Sequence, residues 1–377
     1  MTVTITDQLL SSIPVGNCIQ CLGSHSNHTL ELKFAALQKG GWKHTEFSFA
    51  EYFRWVRDKE PQSVPDVDPE TYGDGEQREG EEAAWETLYR YAPQIKALAA
   101  RHDVKMWSLQ CLGQVDSWPA GSIREARGKQ KAVHWIELCK HLGLEFCQIG
   151  VNDQYEAVAP FEKTVEDLRW IAERAAERGI KIAYESWNFA PKNNQWEATW
   201  DVVKAANHPN LGLCIDTAQC ALAPAYGFDP TSGRGFTEPA VAALLQRLAA
   251  LPADKIFFVE ISDVLRPSPA LLCGSPFDQW HLDQGPGYRT GFTWCRCARV
   301  IPHIGRGTGK LVQGQDGLGA GRTSEIVKAI LSTGFEGPML YECFEVSEQE
   351  KAETSIPDEL VRASVLSWQR MSQAMLD

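Results

Sequence analysis

Across its 377 residues, the sequence has no apolar run that reaches the ~18 residues needed for a membrane-spanning helix. Its first residues also lack the basic start and long apolar core of a secretory signal, so we expect a cytoplasmic protein without a membrane partner. Basic charge is scarce, because 37 Lys and Arg stand against 49 Asp and Glu and give a net charge of −12. Nucleic-acid binders usually present a basic face, so this balance argues against nucleic acid as a partner.

The 11 cysteines show no pattern that predicts disulfides or a zinc site. Their number is odd, and Cys147, Cys214 and Cys343 lie within apolar runs, where a free cysteine behaves as a small buried hydrophobe. This usage is typical of a reducing compartment. Cys295 and Cys297 have CxC spacing but no second pair of ligands, so we expect no zinc ion there.

Short apolar runs alternate with longer amphipathic stretches, and this pattern predicts repeated βα units. The strands are predicted at Cys18–Leu22, His44–Phe47, Lys105–Leu109, Phe146–Ile149, Ile180–Glu185, Leu211–Asp216, Ile256–Ile261 and Met339–Cys343. The helices are predicted at Leu30–Lys39, Glu81–Arg101, Lys129–Leu142, Thr164–Arg178, Trp196–Ala206, Pro239–Ala250 and Thr323–Ser332. Eight strands favour a single-domain α/β fold, the (β/α)8 TIM barrel, which needs roughly 250 residues plus insertions. A doubly wound open sheet is the alternative, since alternation alone does not distinguish the two.

Three stretches depart from the alternation. Glu60–Gly80 is acidic and rich in Gly and Pro, which predicts a surface loop. Pro267–Gly321, between the seventh and eighth strands, is too long for a structureless connection, so we interpret residues 267–321 as a lid or specificity loop over the strand ends. The tail Asp358–Met375 is predicted to form a closing amphipathic helix.

Acids fall where the later strands end. Glu185, Asp216, Glu260 and Glu342 each follow or lie in an apolar run that should be buried, where an unpaired carboxylate is costly. One such acid alone is often only a helix N-cap, but the carboxyl ends of barrel strands converge on one mouth. The four acids therefore predict one divalent metal ion. Oxygen ligands alone favour Mg²⁺ or Mn²⁺, with Co²⁺ or Zn²⁺ as alternatives.

The chain resembles the xylose isomerase-like barrel superfamily of sugar isomerases, epimerases and dehydratases, and within it the 3-dehydroshikimate dehydratases. The resemblance runs from about residue 17 to 370 and rests on matching segments at the third to eighth strands and in the closing helix. These are Leu109-Gln110 with Gln114 and Asp116, Phe146–Ile149, Tyr184-Glu185, Cys214–Thr217, Lys255–Asp263, Trp294–Arg299, Gly334–Gly337 before Glu342, Glu359-Leu360 and Ser367-Trp368.

The resemblance implies metal ligands at Glu185, Asp216, Glu260 and Glu342. The third of these positions is usually His, or Gln in the most similar dehydratases, whereas here it is Glu. Gln219 and Trp187 likewise stand where many members carry histidines. These departures leave metal binding intact and place the identity of the catalytic base in doubt.

The resemblance further implies a lyase that acts on a small polyhydroxylated keto compound through an enediolate, as in the conversion of 3-dehydroshikimate to protocatechuate. Glu185, Glu342 or a histidine of the long loop (His281, with His303 as the alternative) would be the base. The substrate would contact Glu46, Gln110, Trp187 and Arg299, with Arg296 and Arg322 competing with Arg299 for a substrate carboxylate. Phe47, Trp107 and Trp294 are further aromatic candidates for the mouth.

Three other functions stay open at this stage. A sugar or hydroxyketone isomerase or epimerase shares the first proton abstraction, so the sequence separates it poorly from a dehydratase. A non-catalytic binding barrel is a second alternative, and an endonuclease of the same superfamily is disfavoured because several histidine ligands and a basic groove are missing. The partner is expected to be a small molecule, and a homo-oligomer is left open.

Overall fold

Eight parallel strands close into a barrel in the computed structural model, which confirms the predicted TIM barrel over the open sheet. The structure describes residues 3–226, 229, 232, 234–265, 271, 273–275, 277–285, 289–304, 321–344 and 349–377. The barrel strands are β1 Val15–Cys18, β2 His44–Ser48, β3 Lys105–Leu112, β4 Phe146–Gly150, β5 Lys181–Glu185, β6 Leu211–Asp216, β7 Ile256–Ile261 and β10 Met339–Tyr341. Between β7 and β10 the chain forms a two-stranded antiparallel ribbon of β8 Asp263–Val264 and β9 Arg299–Val300.

The first barrel strand begins earlier than the sequence predicts. We expected Cys18–Leu22, but β1 is Val15–Cys18, and Ile19–Cys21 forms a 3-10 turn. Gly16 makes this segment look like a turn in the sequence, yet a close approach requires that glycine. A Cβ atom there would lie 1.8 Å from the carbonyl oxygen of His44 on β2. The pairing of Val15 with Met339 then closes the barrel.

The predicted helices are close to their observed positions, and the described residues add five more: Asp7–Ser12, Phe49–Lys59, Thr217–Leu222, Asp278–Asp283 and Thr290–Cys297. Phe49–Lys59 is helical although the sequence analysis did not predict it, and it begins at once after β2 with Ser48 as its N-cap. The helices, α1 to α13 in chain order, are Asp7–Ser12, Leu30–Lys39, Phe49–Lys59, Glu81–Arg101, Ile123–Leu142, Phe161–Ala176, Trp196–Ala206, Thr217–Leu222, Glu238–Leu248, Asp278–Asp283, Thr290–Cys297, Thr323–Leu331 and Ile356–Leu376. None of the described helices combines the length and apolar character that crossing a bilayer requires.

An apolar cluster fills the lower barrel, and we call it the barrel floor. It consists of Phe146, Ala183, Cys214, Phe257, Phe258 and Leu340. Each member comes from a barrel strand, and their rings and methyl groups exclude water from beneath the mouth. Side chains further along the same strands therefore project into a space that is closed at the bottom and open only toward the carboxyl ends.

Two of the irregular stretches lie over that open end. Glu60–Gly80 is more than a surface loop, because Tyr72 is buried and Glu70, Thr71 and Asp74 line the cavity described below. The region 267–321 lies partly outside the described residues. Its described part forms α10, α11 and β9, and Phe292, Cys295, Arg296 and Arg299 from it line the same cavity.

Candidate metal centre

Four acids lie one pleat above the barrel floor. Side chains alternate between the two faces of a strand, so the residue two positions further on points the same way. Each acid lies two residues after a member of the floor: Glu185 after Ala183, Asp216 after Cys214, Glu260 after Phe258 and Glu342 after Leu340. Period-two geometry on four strands therefore carries all four carboxyl groups into the barrel.

The four acids converge as the sequence analysis requires. One carboxylate oxygen from each of Glu185, Asp216, Glu260 and Glu342 lies within 4.8 Å of those of the other three, and all four residues are buried. Asp216 also accepts a hydrogen bond from the backbone amide of Ala218 at 2.8 Å, so it caps the following helix as well. Asp216 is therefore both the N-cap of this helix and a member of the acid cluster.

Glu260 is the acid with the least local support. Its exposed fraction is 0%, and neither of its carboxylate oxygens has a hydrogen-bond partner within the described structure. Its position is fixed by strand register, since Glu260 pairs with Asp216 on β6 and with Leu340 on β10. Burial, followed by the charges of Glu185 and Glu342, raises the pKa of Glu260 well above its usual range. A bound cation would compensate the cost of burying these two unsatisfied oxygens beside three other carboxyl groups.

A fifth carboxyl group, Glu46 on β2, lies beside this cluster. Its Oε1 accepts a hydrogen bond from Ser108 at 2.8 Å, while its Oε2 is buried without a partner in the described residues. Burial raises the pKa of Glu46 to about 8, and the charge of Glu342 adds to the effect. Glu46, which was predicted to contact the substrate at the mouth, does not line the cavity described below.

Arg299 is ion-paired with two of the four acids. Its Nη2 lies 2.8 Å from Asp216 Oδ2 and 2.6 Å from Glu342 Oε2, and its Nε donates to Ser262 Oγ at 3.0 Å. Its side chain is 2% exposed. Burial raises the pKa of Asp216 to about 6, an effect that the Arg299 charge opposes. Arg299 also lines the cavity described below, so its predicted contact with the substrate stays a prediction.

Glu185 is oriented by two donors. Trp187 Nε1 donates to Glu185 Oε2 at 2.7 Å, and Gln148 Nε2 donates to the same oxygen. Burial raises the pKa of Glu185 well above its usual range, with the Asp216 charge as the next cause. Because one oxygen takes both hydrogen bonds, the other is left for a ligand or a proton.

A cavity of about 310 Å³ opens above the cluster. Of the four acids, Glu185 and Glu342 reach its surface, while Asp216 and Glu260 lie beneath it. Gln110 and Trp187, both predicted substrate contacts, also line it; Gln110 donates to Cys18 Sγ at 2.7 Å and accepts from Gln20 at 2.9 Å. The cavity therefore has a polar bottom and an aromatic wall.

Two ion pairs in the cavity wall were not predicted, although Arg296 by itself was a candidate for binding a substrate carboxylate. Lys131 Nζ lies 2.7 Å from Asp74 Oδ1, and Arg296 Nη2 lies 2.8 Å from Glu70 Oε1. In each pair the acid comes from the loop at 60–80, and the base comes from a distant helix. The sequence gives no signal for these ion pairs. The loop and the two helices come together only when the barrel closes.

The predicted histidines and several aromatics lie elsewhere. Among the described residues no histidine lines this cavity: His281 interacts with Thr293 Oγ1, and His303 Nε2 lies 2.6 Å from Ser324 Oγ. The catalytic role of His281 stays a prediction. Three aromatic residues predicted at the mouth lie elsewhere. Trp107 packs on Phe146 of the barrel floor, Trp294 of α11 is fully buried in a separate apolar cluster, and Phe47 stacks on Phe34 in the outer core.

One curated relative and two solved structures illustrate what the chain resembles. A 3-dehydroshikimate dehydratase of Neurospora crassa is 26% identical over 374 residues, which cover 97% of this chain and 93% of that protein. A xylose isomerase-like TIM barrel/4-hydroxyphenylpyruvate dioxygenase fusion protein matches with a TM-score of 0.63 and 18% identity over 94% of this chain. That match spans only 42% of the fusion protein.

The second structure is a xylose isomerase-like TIM barrel protein from Mycobacterium smegmatis in complex with magnesium. It matches with a TM-score of 0.52 and 11% identity over 97% of this chain and 98% of that one. At these identities the solved structures show the fold alone. A family profile described as "Xylose isomerase-like TIM barrel" matches residues 71–365, which is most of the sequence. The chain therefore belongs to the xylose isomerase-like TIM barrel family.

Proposed function

We propose that this protein is a divalent-metal-dependent lyase that dehydrates a small polyhydroxylated keto compound, with 3-dehydroshikimate as the first candidate substrate. The observation that carries the proposal is the convergence of Glu185, Asp216, Glu260 and Glu342 to within 4.8 Å under a cavity. The similarity to the Neurospora dehydratase over nearly the whole of both chains supports the choice of reaction.

The donor set fits a divalent cation. Four carboxyl groups offer only oxygen, and both oxygens of Glu260 lack hydrogen-bond partners within the described residues. Hard cations such as Mg²⁺ and Mn²⁺ prefer such ligands, so we favour them over Co²⁺ and Zn²⁺. When bound, the ion would supply Lewis acidity that polarises a carbonyl and stabilises negative charge next to it.

Glu185 and Glu342 are the proposed proton acceptors, since they are the two acids of the cluster that reach the cavity. Trp187 and Gln148 hold Glu185 through one oxygen, which leaves the other for a proton from the substrate. Arg299 holds Glu342 through its Oε2 in the same manner. Trp187 and Phe189, whose rings are stacked with centroids 5.4 Å apart, would cover the substrate and exclude water.

The proposed reaction removes the α-proton of the ketone to give an enediolate. The electron pair of the broken C–H bond forms a C=C bond, and the β-hydroxyl group leaves with a proton as water. For 3-dehydroshikimate, this loss and tautomerisation give the aromatic acid protocatechuate. No oxidant or reductant is consumed.

An isomerase or epimerase is the second candidate. The observation that favours it is that two acids, Glu185 and Glu342, both face the cavity, so that one could remove a proton and the other return it. This chemistry would keep every atom of the substrate and release no water.

The test is turnover of 3-dehydroshikimate by the purified protein with Mn²⁺ or Mg²⁺, followed by protocatechuate absorbance. We expect absorbance to appear with metal and to be lost on chelation and in Glu185→Gln. The surface variant Glu325→Gln is the matched control, because Glu325 pairs with Arg322. Deuterium uptake from heavy water without aromatic product would favour the isomerase, and binding of neither metal nor substrate would overturn both enzymatic functions in favour of a non-catalytic barrel.

A further inference from the structure

Three arginines compete for an acidic group of the substrate, and the structure separates them. Arg299 is buried and already paired with Asp216 and Glu342. Arg322 pairs with Glu238 and Glu325 and does not line the cavity. Arg296 and Arg299 both line the cavity. A substrate carboxylate placed on Arg299 would lie beside Asp216 and Glu342, whereas the ion pair of Arg296 is with Glu70.

Arg296 is held in place by two aromatic rings. Its guanidinium carbon lies 5.2 Å from the ring centroid of Phe292 and 5.0 Å from that of Phe344. Such cation–π contacts fix the side chain without consuming its hydrogen-bond donors. A planar guanidinium presents a fork of N–H donors that matches a carboxylate in two-point contact. The rings therefore prepare Arg296 to bind a planar anion.

A carboxylate is already paired with Arg296 in this structure. Glu70 Oε1 lies 2.8 Å from Arg296 Nη2, and the Glu70 side chain is 51% exposed. Water can solvate this half-exposed carboxylate when the ion pair opens, while the charge of Arg296, which lowers the pKa of Glu70, favours the closed pair. The other wall pair differs, since Lys131 is 2% exposed and Asp74 only 17%. Glu70 is thus the more easily exchanged counter-ion.

We propose that Arg296 binds a carboxylate group of the substrate and that this carboxylate displaces Glu70. The inference rests on the proposed function in one respect, namely that the substrate is a small acid bound in this cavity. Arg296 and Arg299 both contact the ring of Phe344, with guanidinium carbons 5.0 and 5.1 Å from its centroid. The acid-binding residue is therefore close to the metal centre without sharing its ligands.

The test measures binding of two probes to the Mn²⁺-loaded protein by calorimetry. The probes are 3,4-dihydroxybenzoate and its neutral amide, 3,4-dihydroxybenzamide, which share a ring and differ in charge. Because hydrogen bonds to charged groups contribute roughly 1.5–3 kcal/mol, we expect Arg296→Gln to weaken the acid about tenfold or more and to leave the amide unchanged. Arg296→Lys should recover part of the loss, and Glu70→Gln should tighten the acid alone, by several-fold.

Arg322→Gln and Glu238→Gln are matched controls, because they remove the two members of a surface ion pair outside the cavity. Equal weakening of acid and amide in Arg296→Gln would show a merely structural role and overturn the proposal. So would failure of the wild-type protein to prefer the acid. If 3-dehydroshikimate is converted with an unchanged KM in Arg296→Gln, the inference fails and the dehydratase stands. If Arg296 governs acid binding but no turnover occurs, the dehydratase fails and the inference stands.

Discussion

Replacing Glu260 by glutamine should change stability in opposite directions with and without metal. Two unit charges 4.8 Å apart repel by about 3.5 kcal/mol at an effective dielectric constant of about 20. Three ionised neighbours would therefore cost about 10 kcal/mol, which is comparable to the whole stability of a typical domain. In the metal-free protein Glu260 must bind a proton, in line with its raised pKa.

The cost of that proton sets the size of the effect. Holding a carboxyl group protonated at pH 7.5, when its ordinary pKa is 4.5, costs about 4 kcal/mol. The glutamine variant avoids this cost, but its buried amide without hydrogen-bond partners costs roughly 1–3 kcal/mol. We therefore expect metal-free Glu260→Gln to be more stable by about 1–3 kcal/mol at pH 7.5, a Tm rise of about 1–4 °C for a chain of 377 residues. Because the raised pKa makes the cost of protonating Glu260 negligible below pH 4.5 and larger as pH rises, the advantage of the variant should shrink as pH falls and vanish between about pH 5 and 7.

Adding Mn²⁺ should reverse the order, since the variant has lost an anionic ligand. Each tenfold weakening of Kd removes about 1.4 kcal/mol of metal-induced stabilisation, so a Kd weakened about a thousandfold, or about 4 kcal/mol, reverses the order over the whole expected range. The assay is thermal unfolding across pH 5 to 8.5, with chelator and with excess Mn²⁺, and Glu177→Gln on the surface is the control. A Tm difference in chelator that does not vary with pH, or equal metal response in both proteins, would refute the cation-site reasoning.

Three further predictions concern the neighbours of this cluster. Because burial raises the pKa of Glu46 to about 8, metal-free wild type should lose stability as pH rises from 4.5 through 8, and Glu46→Gln should flatten that slope in chemical denaturation. Arg299→Gln leaves Asp216 and Glu342 buried without their counter-charge, so it should destabilise the metal-free protein by about 3–5 kcal/mol, against little change in Arg322→Gln. Trp187→Phe removes the donor to Glu185 and should weaken Mn²⁺ binding or turnover by about 10–100-fold, as calorimetry and initial rates would report.

The four acids could be predicted from the sequence because each follows a buried apolar run on its own strand. The alternation of side chains along a strand then fixes whether each acid points into the barrel, once one residue of that strand is known to face inward. The prediction for Glu260 depended on which residues of its strand face inward. The pairing of Glu260 with Asp216 and with Leu340 now fixes this register. The sequence indicated a closed barrel only through its number of strands. The pairing of Val15 with Met339, which completes the barrel, joins strands near opposite ends of the chain.

Contacts between distant segments were beyond sequence reasoning. Arg296 and Glu70 are separated by 226 positions, and although Arg296 lies in the matching segment Trp294–Arg299, nothing in the sequence pairs it with Glu70. The closing helix shows a subtler limit, since Ser364 and Ser367 are fully buried there. Hydrophobic periodicity assigns serines to solvent, but Asn17 donates to Ser364 and Tyr341 donates to Ser367, both at 3.0 Å. Buried polar pairs satisfy each other only after the fold has formed.

Charge balance links the unusual glutamate to the position of the substrate's acid group. A histidine in place of Glu260 would leave three acids beside Arg299; the glutamate makes four, and Glu46 lies beside them as a fifth. One arginine and one divalent cation supply three positive charges, so a fully ionised centre remains negative. An anionic substrate is then repelled from the ion unless its charged end is held elsewhere. Arg296, fixed by its two rings at the cavity wall, is the described side chain that best meets this requirement, and a neutral substrate would make it unnecessary.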